Sequence, residues 1–273
     1  MDTEPDSVQV THPHAGITVI SLNRPQARNA VNAATAQKLY DAIIAYEEND
    51  TAKVAILNGN HGTFCAGFDL KTVKSSDEST AIKGSNVPSL NAYERSQGPM
   101  GPSRLQIKKP IITAVSGYAV AGGLELSLLG DMRVVEEDAI FGVFCRRWGV
   151  PLIDGGTVRL RAIVGLGRAL DMILTGRPVD AHEALSFGLA NRVVPKGKAL
   201  DEAVALAKEL LRFPQLCVNV DRASAYYACY QANSLQHALR FEYTNGIAAM
   251  EEGAVGAERF SKGAGRGGSY AKL

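Results

Sequence analysis

The residues best placed to do chemistry lie in one stretch, AVSGYAVAGGLELSLLGD from Ala114 to Asp131, where Glu125 follows Gly122-Gly123 inside an otherwise apolar run. A buried carboxylate is costly unless it is paired or hydrogen-bonded, and glycine weakens both helices and strands. Keeping both implies a use. A strand ending at Val115 and a helix beginning near Gly122 leave the first N–H groups of that helix unpaired, and glycine lets a ligand approach that backbone closely. A second cluster, His61-Gly62-Thr63-Phe64-Cys65-Ala66-Gly67-Phe68-Asp69, can present another N–H at a neighbouring strand end. Two such donors converging on one oxygen stabilise an enolate or a tetrahedral adduct, and Glu125 would stand beside them as a general acid or base. The plainer alternative is a helix packed closely on a sheet, with its first-turn glutamate complementing the helix dipole.

Positioning these groups requires strands that end on the same side. Ile17–Leu22, Lys53–Leu57 and Ile111–Val115 read as short β-branched or continuous apolar strands, and Met132–Val135 and Ala139–Val143 as two more. Between the first two, Ala33–Glu48 has the helical spacing of Leu39, Ile43 and Tyr46. From Gly155 the pattern turns helical: to Val164, from Arg168 to Leu174, from Asp180, from Leu200 to Arg212 and from about Val218 to Glu252, with one strand-like run at 192–194. Strand-helix alternation followed by helices predicts an α/β core over 1–195 and a helical C-terminal region with a flexible tail over 196–273. The polar stretch from Asp69 to about Met100 is too poor in apolar residues for core and reads as a mobile segment or lid.

Composition excludes several classes. The 29 basic and 28 acidic residues leave a net charge of +1, so nothing favours nucleic acid or an acidic membrane as a general partner. Cysteines 65, 145, 217 and 229 form no close pair and the five histidines are scattered, so neither a disulfide framework nor a metal is expected. No apolar run reaches membrane-spanning length. The acidic, polar start MDTEPDSVQV is unlike a secretory signal or an arginine-rich transit peptide. Gly165-Leu166-Gly167 lies between helical segments rather than after a strand, which removes it as a dinucleotide fingerprint.

Several motifs in order, LNRPQARNAVN at 22–32, FCAGFDLK at 64–71, KPIITAVSGYAVAGGLELSLLGDMRVV at 109–135, FG at 141, GGTVRL at 155 and GRALDMILTGRPVDAHEALSFGLANRVVP at 167–195, resemble the enoyl-CoA hydratase/isomerase (crotonase) superfamily. The resemblance runs from about residue 16 to 262. It implies a spiral of ββα units with a helical trimerisation region, a homotrimer or hexamer, and a coenzyme A thioester as substrate, with no separate cofactor. By position it implies an oxyanion hole from the N–H groups of Phe68 and Gly122. It likewise implies CoA contacts at Arg24, Ala27, Arg28, Ala66, Asp69, Leu70 and Lys71, with Lys262 serving a neighbouring subunit's ligand. For each basic residue the alternative is a solvated surface charge.

One departure bears on the reaction. Hydratases of the family carry two glutamates about 20 residues apart; the first is Glu125, but Cys145 occupies the second position and is expected to be inactive. A thiol is a poor substitute where water must be activated and a carbon protonated, and the more ordinary role of such a cysteine is a small buried apolar residue. Asp154 stands where the family usually has a small residue. It could bring a second carboxylate to the pocket, although an N-cap for the following helix is the preferred reading. Three functions remain: an enoyl-CoA hydratase-like enzyme using Glu125 as acid and base, a double-bond isomerase or other one-base acyl-CoA reaction, or an acyl-CoA-binding protein without turnover. The terminal Ala271-Lys272-Leu273 is a close variant of a peroxisomal address, which predicts a peroxisomal matrix protein in a eukaryote and a cytoplasmic one otherwise.

Overall fold

The computed structural model describes residues 4–71 and 95–263. Most of the stretch expected to form a lid, and the terminal Ala271-Lys272-Leu273 with its glycine-rich lead, lie outside the described residues. The main sheet has six strands, β1 (Val8–His14), β2 (Ile17–Leu22), β3 (Val54–Gly59), β4 (Ile111–Val115), β6 (Met132–Glu136) and β9 (Arg192–Val194), in that spatial order. Only the β1–β2 pair is antiparallel; every later neighbour is parallel. Parallel strands buried on both faces are rich in apolar residues, and β2, β3 and β4 are buried at every position, with Ser21 donating to Asn58 across β2 and β3.

Alternate side chains face two apolar layers. Ile17, Val19, Val54, Ile56, Ile112, Ala114 and Val134 pack against Ala199, Ala203, Leu206 and Ala207 of α6 (Ala199–Leu210). The opposite set, including Ile20, Leu22, Leu57 and Val115, joins Leu39 and Ile43 of α1 (Ala33–Glu48) in the larger core. Asn32 starts α1 by accepting the Thr35 N–H at 2.8 Å. Because α6 packs across β2, β3, β4, β6 and β9, a helix placed beyond the 195 boundary lies against the α/β core.

A second sheet of three short strands, β5 (Tyr118–Val120), β7 (Ile140–Gly142) and β8 (Val179–Asp180), stands beside the first. Between β5 and β6 lies α2 (Gly122–Ser127), all six of whose residues are buried. Further on come α3 (Gly156–Val164), α4 (Leu166–Thr175) and α5 (Ala181–Phe187), the last capped by Asp180 accepting from the Glu183 N–H.

The C-terminal pattern differs from one long helix over 218–252. It forms α7 (Gln215–Tyr230), α8 (Leu235–Ala248) and α9 (Met250–Ser261). The chain breaks at Gln231–Ser234, and Ser234 restarts it by accepting from the His237 N–H at 3.2 Å; serine favours exactly such caps over helix interiors. Helix α7 docks on the core through polar contacts, with Arg222 Nε 2.9 Å from Asp131 and the Tyr226 hydroxyl donating to Asp131 at 2.7 Å. Tyr226 stacks on Tyr230, and Tyr227 on Phe241. Tyr226, Tyr227, Tyr230 and Phe241 therefore serve intrachain packing, whereas Tyr243 and Phe260 are exposed. Among the described residues no helix is long and apolar enough to cross a membrane.

Candidate active site

The two glycine-bearing loops meet. Phe64 and Cys65 donate their N–H groups to Ser116 O at 2.7 Å and Tyr118 O at 2.8 Å, and Val120 N–H returns to Cys65 O at 3.1 Å. These bonds zip the loop after β3 onto β5. Further along, Gly67 O accepts the Val31 N–H at 2.8 Å while Asp69 N–H donates to Val31 O at 2.9 Å. In such a parallel bridge the intervening Phe68 N–H turns away from Val31. Gly67 itself has φ +98, and a Cβ there would lie 3.0 Å from the Gly122 nitrogen. The backbone bearing Phe68 thus sits directly against the start of α2.

Ala121 precedes that helix at φ +54, a conformation uncommon outside glycine, held by its N–H donating to Gly142 O at 2.8 Å. Gly122 is then the first helical residue, whose N–H has no intrahelical acceptor. Among the described residues no hydrogen bond is formed by the N–H of Phe68 or of Gly122. Two adjacent, unengaged backbone donors are what stabilisation of a developing oxyanion requires.

Glu125, one turn along α2, is 2 % exposed. Its Oε1 accepts two backbone donors, the Asp154 N–H at 2.9 Å and the Gly156 N–H at 2.8 Å. Burial, and next the charge of Asp154, raise its pKa from the ordinary carboxylate range to about 7, against the opposing effect of those two N–H groups and of Arg159. A group poised there exchanges protons in either direction near neutrality.

The N-cap reading of Asp154 is corrected by the structure. Gly155 holds the cap position of α3 in left-handed geometry, with no side-chain cap. The Asp154 carboxylate instead reaches back to the Met100 N–H at 3.0 Å and to the Ser103 hydroxyl. A residue two places before the first helical residue is displaced from the cap by the glycine turn, and two buried donors across the chain satisfy its oxygen better. The segment ending at Met100 is likewise not all excluded from the core, since Met100 is fully buried and a Cβ on Gly122 would meet its Sδ at 2.7 Å.

Cys145 lies in a 3-10 turn, Phe144–Trp148, and is buried in the main core. Burial, then the charge of Glu125, push its thiol above the ordinary value. Arg146 pulls the other way without overcoming that rise. Arg147 lies over the Phe144 ring.

The expected CoA contacts divide. Arg24 is buried, its Nη1 3.0 Å from Asp69 and its Nε 2.5 Å from Glu4, so this pair is committed to holding the loop. Its guanidinium also donates to Ala30 O. Arg28, Leu70 and Lys71 are exposed beside it, Ala27 and Ala66 half-buried, and the Ala66 N–H donates to Arg28 O at 3.1 Å. Lys262, at the end of α9, pairs with Glu258 at 2.6 Å. Sequence reading missed Ser103 and Met100 altogether, because their link to Asp154 spans about fifty residues and carries no local pattern.

A ββα core, paired glycine loops offering free backbone donors and a buried glutamate define an enzyme of the crotonase fold. The chain belongs to the enoyl-CoA hydratase/isomerase family, which it matches over residues 12–257. It is 36% identical over 197 residues to a probable enoyl-CoA hydratase of Rhizobium meliloti (strain 1021), covering 72% of each chain. A probable mitochondrial enoyl-CoA hydratase of Dictyostelium discoideum is 31% identical over 226 residues, 83% of this chain and 77% of that one. An enoyl-CoA hydratase structure from Mycobacterium tuberculosis H37Rv superposes with a TM-score of 0.80 at 33% identity, covering 93% of this chain and 96% of the other.

Proposed function

We propose that the protein transforms an enoyl-CoA thioester through an enolate, with the N–H groups of Phe68 and Gly122 holding the thioester oxygen and Glu125 moving the proton. The observation that carries this reading is Glu125 itself, a carboxyl buried beside free backbone donors with one oxygen fixed by two N–H groups and a pKa of about 7. In hydration, Glu125 takes a proton from water as oxygen bonds to C3 of the enoyl group, the electrons pass to the thioester oxygen, and the enolate collapses as Glu125 gives that proton to C2. The names of relatives favour this outcome. Cys145 favours a second reading, a one-base isomerisation in which Glu125 removes a proton from C2 of a 3-enoyl thioester and returns it to C4. A panel of acyl-CoA thioesters scored separately for hydration, isomerisation and binding tests the two. Native protein is expected to turn over at least one enoyl thioester, whereas binding without turnover of any would leave only the acyl-CoA-binding reading. Cys145→Glu, which adds the missing carboxylate, is expected to raise hydration of a short trans-2-enoyl-CoA by about 10²-fold; no gain would mean that the second carboxylate does not limit this site.

We also propose a homotrimer or hexamer. Leu235, Leu239, Tyr243 and Ile247 recur every four residues along α8 and all are exposed, a helical stripe that a monomer gains nothing by leaving in water. Sedimentation at micromolar concentration is expected to show a multiple of 29.1 kDa, and a purely monomeric species would refute it.

A further inference from the structure

Resting on the reading of Glu125 as the proton-transfer group, we propose that Asp154 is the positioning residue of this site, clamping the Glu125 carboxyl and facing it with a second negative charge. Its backbone does the clamping. The N–H groups of Asp154 and Gly156 both bind Oε1 of Glu125, which leaves the other oxygen for proton transfer. The turn carrying these donors also closes on the side chain, since a Cβ on Gly156 would lie 2.8 Å from Glu125 Cγ.

The Asp154 side chain holds the turn in place. Its Oδ1 accepts from the Met100 N–H and the Ser103 hydroxyl; burial raises the Asp154 pKa, and these two donors, with Arg104 and Arg159, act against that rise in favour of the carboxylate. Met100 packs under Gly122, so one residue ties Glu125 to the backbone beneath the oxyanion donor. Arg159 braces the same segment by donating to Ser103 O at 2.5 Å and Leu105 O at 3.0 Å. The groups facing Glu125 are Asp154, Arg159 and the Cys145 thiol; those facing Asp154 are Glu125, Arg104 and Arg159. A like charge beside a carboxyl favours its protonated form, so loss of the Asp154 charge lowers the pH at which Glu125 ionises.

The test reads Glu125 directly, in the full-length protein without ligand, by carbon-13 NMR of labelled glutamate carboxyls. The Glu125 resonance is the one that Glu125→Gln removes. Its midpoint is expected near 7 in the native protein and lower in Asp154→Asn, which keeps an acceptor for Met100 and Ser103 but not the charge. Ser103→Ala, which withdraws a donor from the Asp154 anion, should shift it the same way by less. The acid limb of kcat/KM for trans-2-butenoyl-CoA should follow both shifts, and Asp154→Ala should lower kcat on the order of 10²-fold with KM nearly unchanged. An unchanged midpoint in folded Asp154→Asn, or in Ser103→Ala should the first variant not fold, overturns the proposal. A shifted midpoint in a protein inactive on every thioester supports it while sinking the acyl-CoA reading.

Discussion

Glu125→Gln is expected to lower turnover by about 10² to 10⁴ while changing acyl-CoA affinity little. Glutamine keeps the size of the side chain and an oxygen for the Asp154 and Gly156 N–H groups that bind Oε1, so the loop is held as before and only the exchangeable proton site is lost. A residue serving merely as a helix-dipole partner would give a different result, about 1 kcal/mol of stability at most and intact turnover. The pH profile adds a sign. Burial and the Asp154 charge place Glu125 at about 7, so a reaction that begins with proton abstraction should rise with pH through that value, as the carboxylate form fills. Steady-state rates and equilibrium binding, measured on the same preparations, separate these effects.

Gly123→Ala should produce a large loss of stability, about 3 kcal/mol or more. The added Cβ would come within 2.1 Å of Cys65 O and 2.7 Å of its carbonyl carbon. That backbone cannot yield, because Cys65 N–H and O are both bonded to β5. Helix α2 would have to move, taking Gly122 and Glu125 with it. Gly246→Ala is the control: it sits inside α8 with nothing within 4 Å of the new Cβ, and should stabilise by up to about 1 kcal/mol. Urea midpoints compared at constant m decide the matter; equal midpoints for the two variants would contradict the packing account.

Strands β2, β3, β4 and β6 are legible because strands buried on both faces concentrate Val, Ile and Leu in short runs. Strand β1 was not, since its six exposed residues after Val8 put no apolar pattern on an edge strand. Strand β5 hides inside the same glycine-containing stretch that leads into α2, where three residues are too few for a period. Glu125 and its glycines were readable as a local anomaly, a costly residue in an apolar run. Asp154 reads as a cap in the sequence, because its true partners, Met100 and Ser103, are brought to it only by tertiary folding. Arg24 similarly reads as a free cation until Asp69 and Glu4 close on it.

The central claim is that Glu125 and two backbone N–H groups enolise a bound thioester, whatever the overall reaction. Exchange of the C2 protons of butyryl-CoA for deuterium in D₂O, followed by proton NMR, tests it without requiring water addition or a double bond. Native protein should catalyse the exchange in a saturable way, faster above pH 7 than below, and Glu125→Gln should abolish it while still binding the thioester. Exchange at the native rate in Glu125→Gln, or none by a native protein that binds butyryl-CoA, would contradict the account.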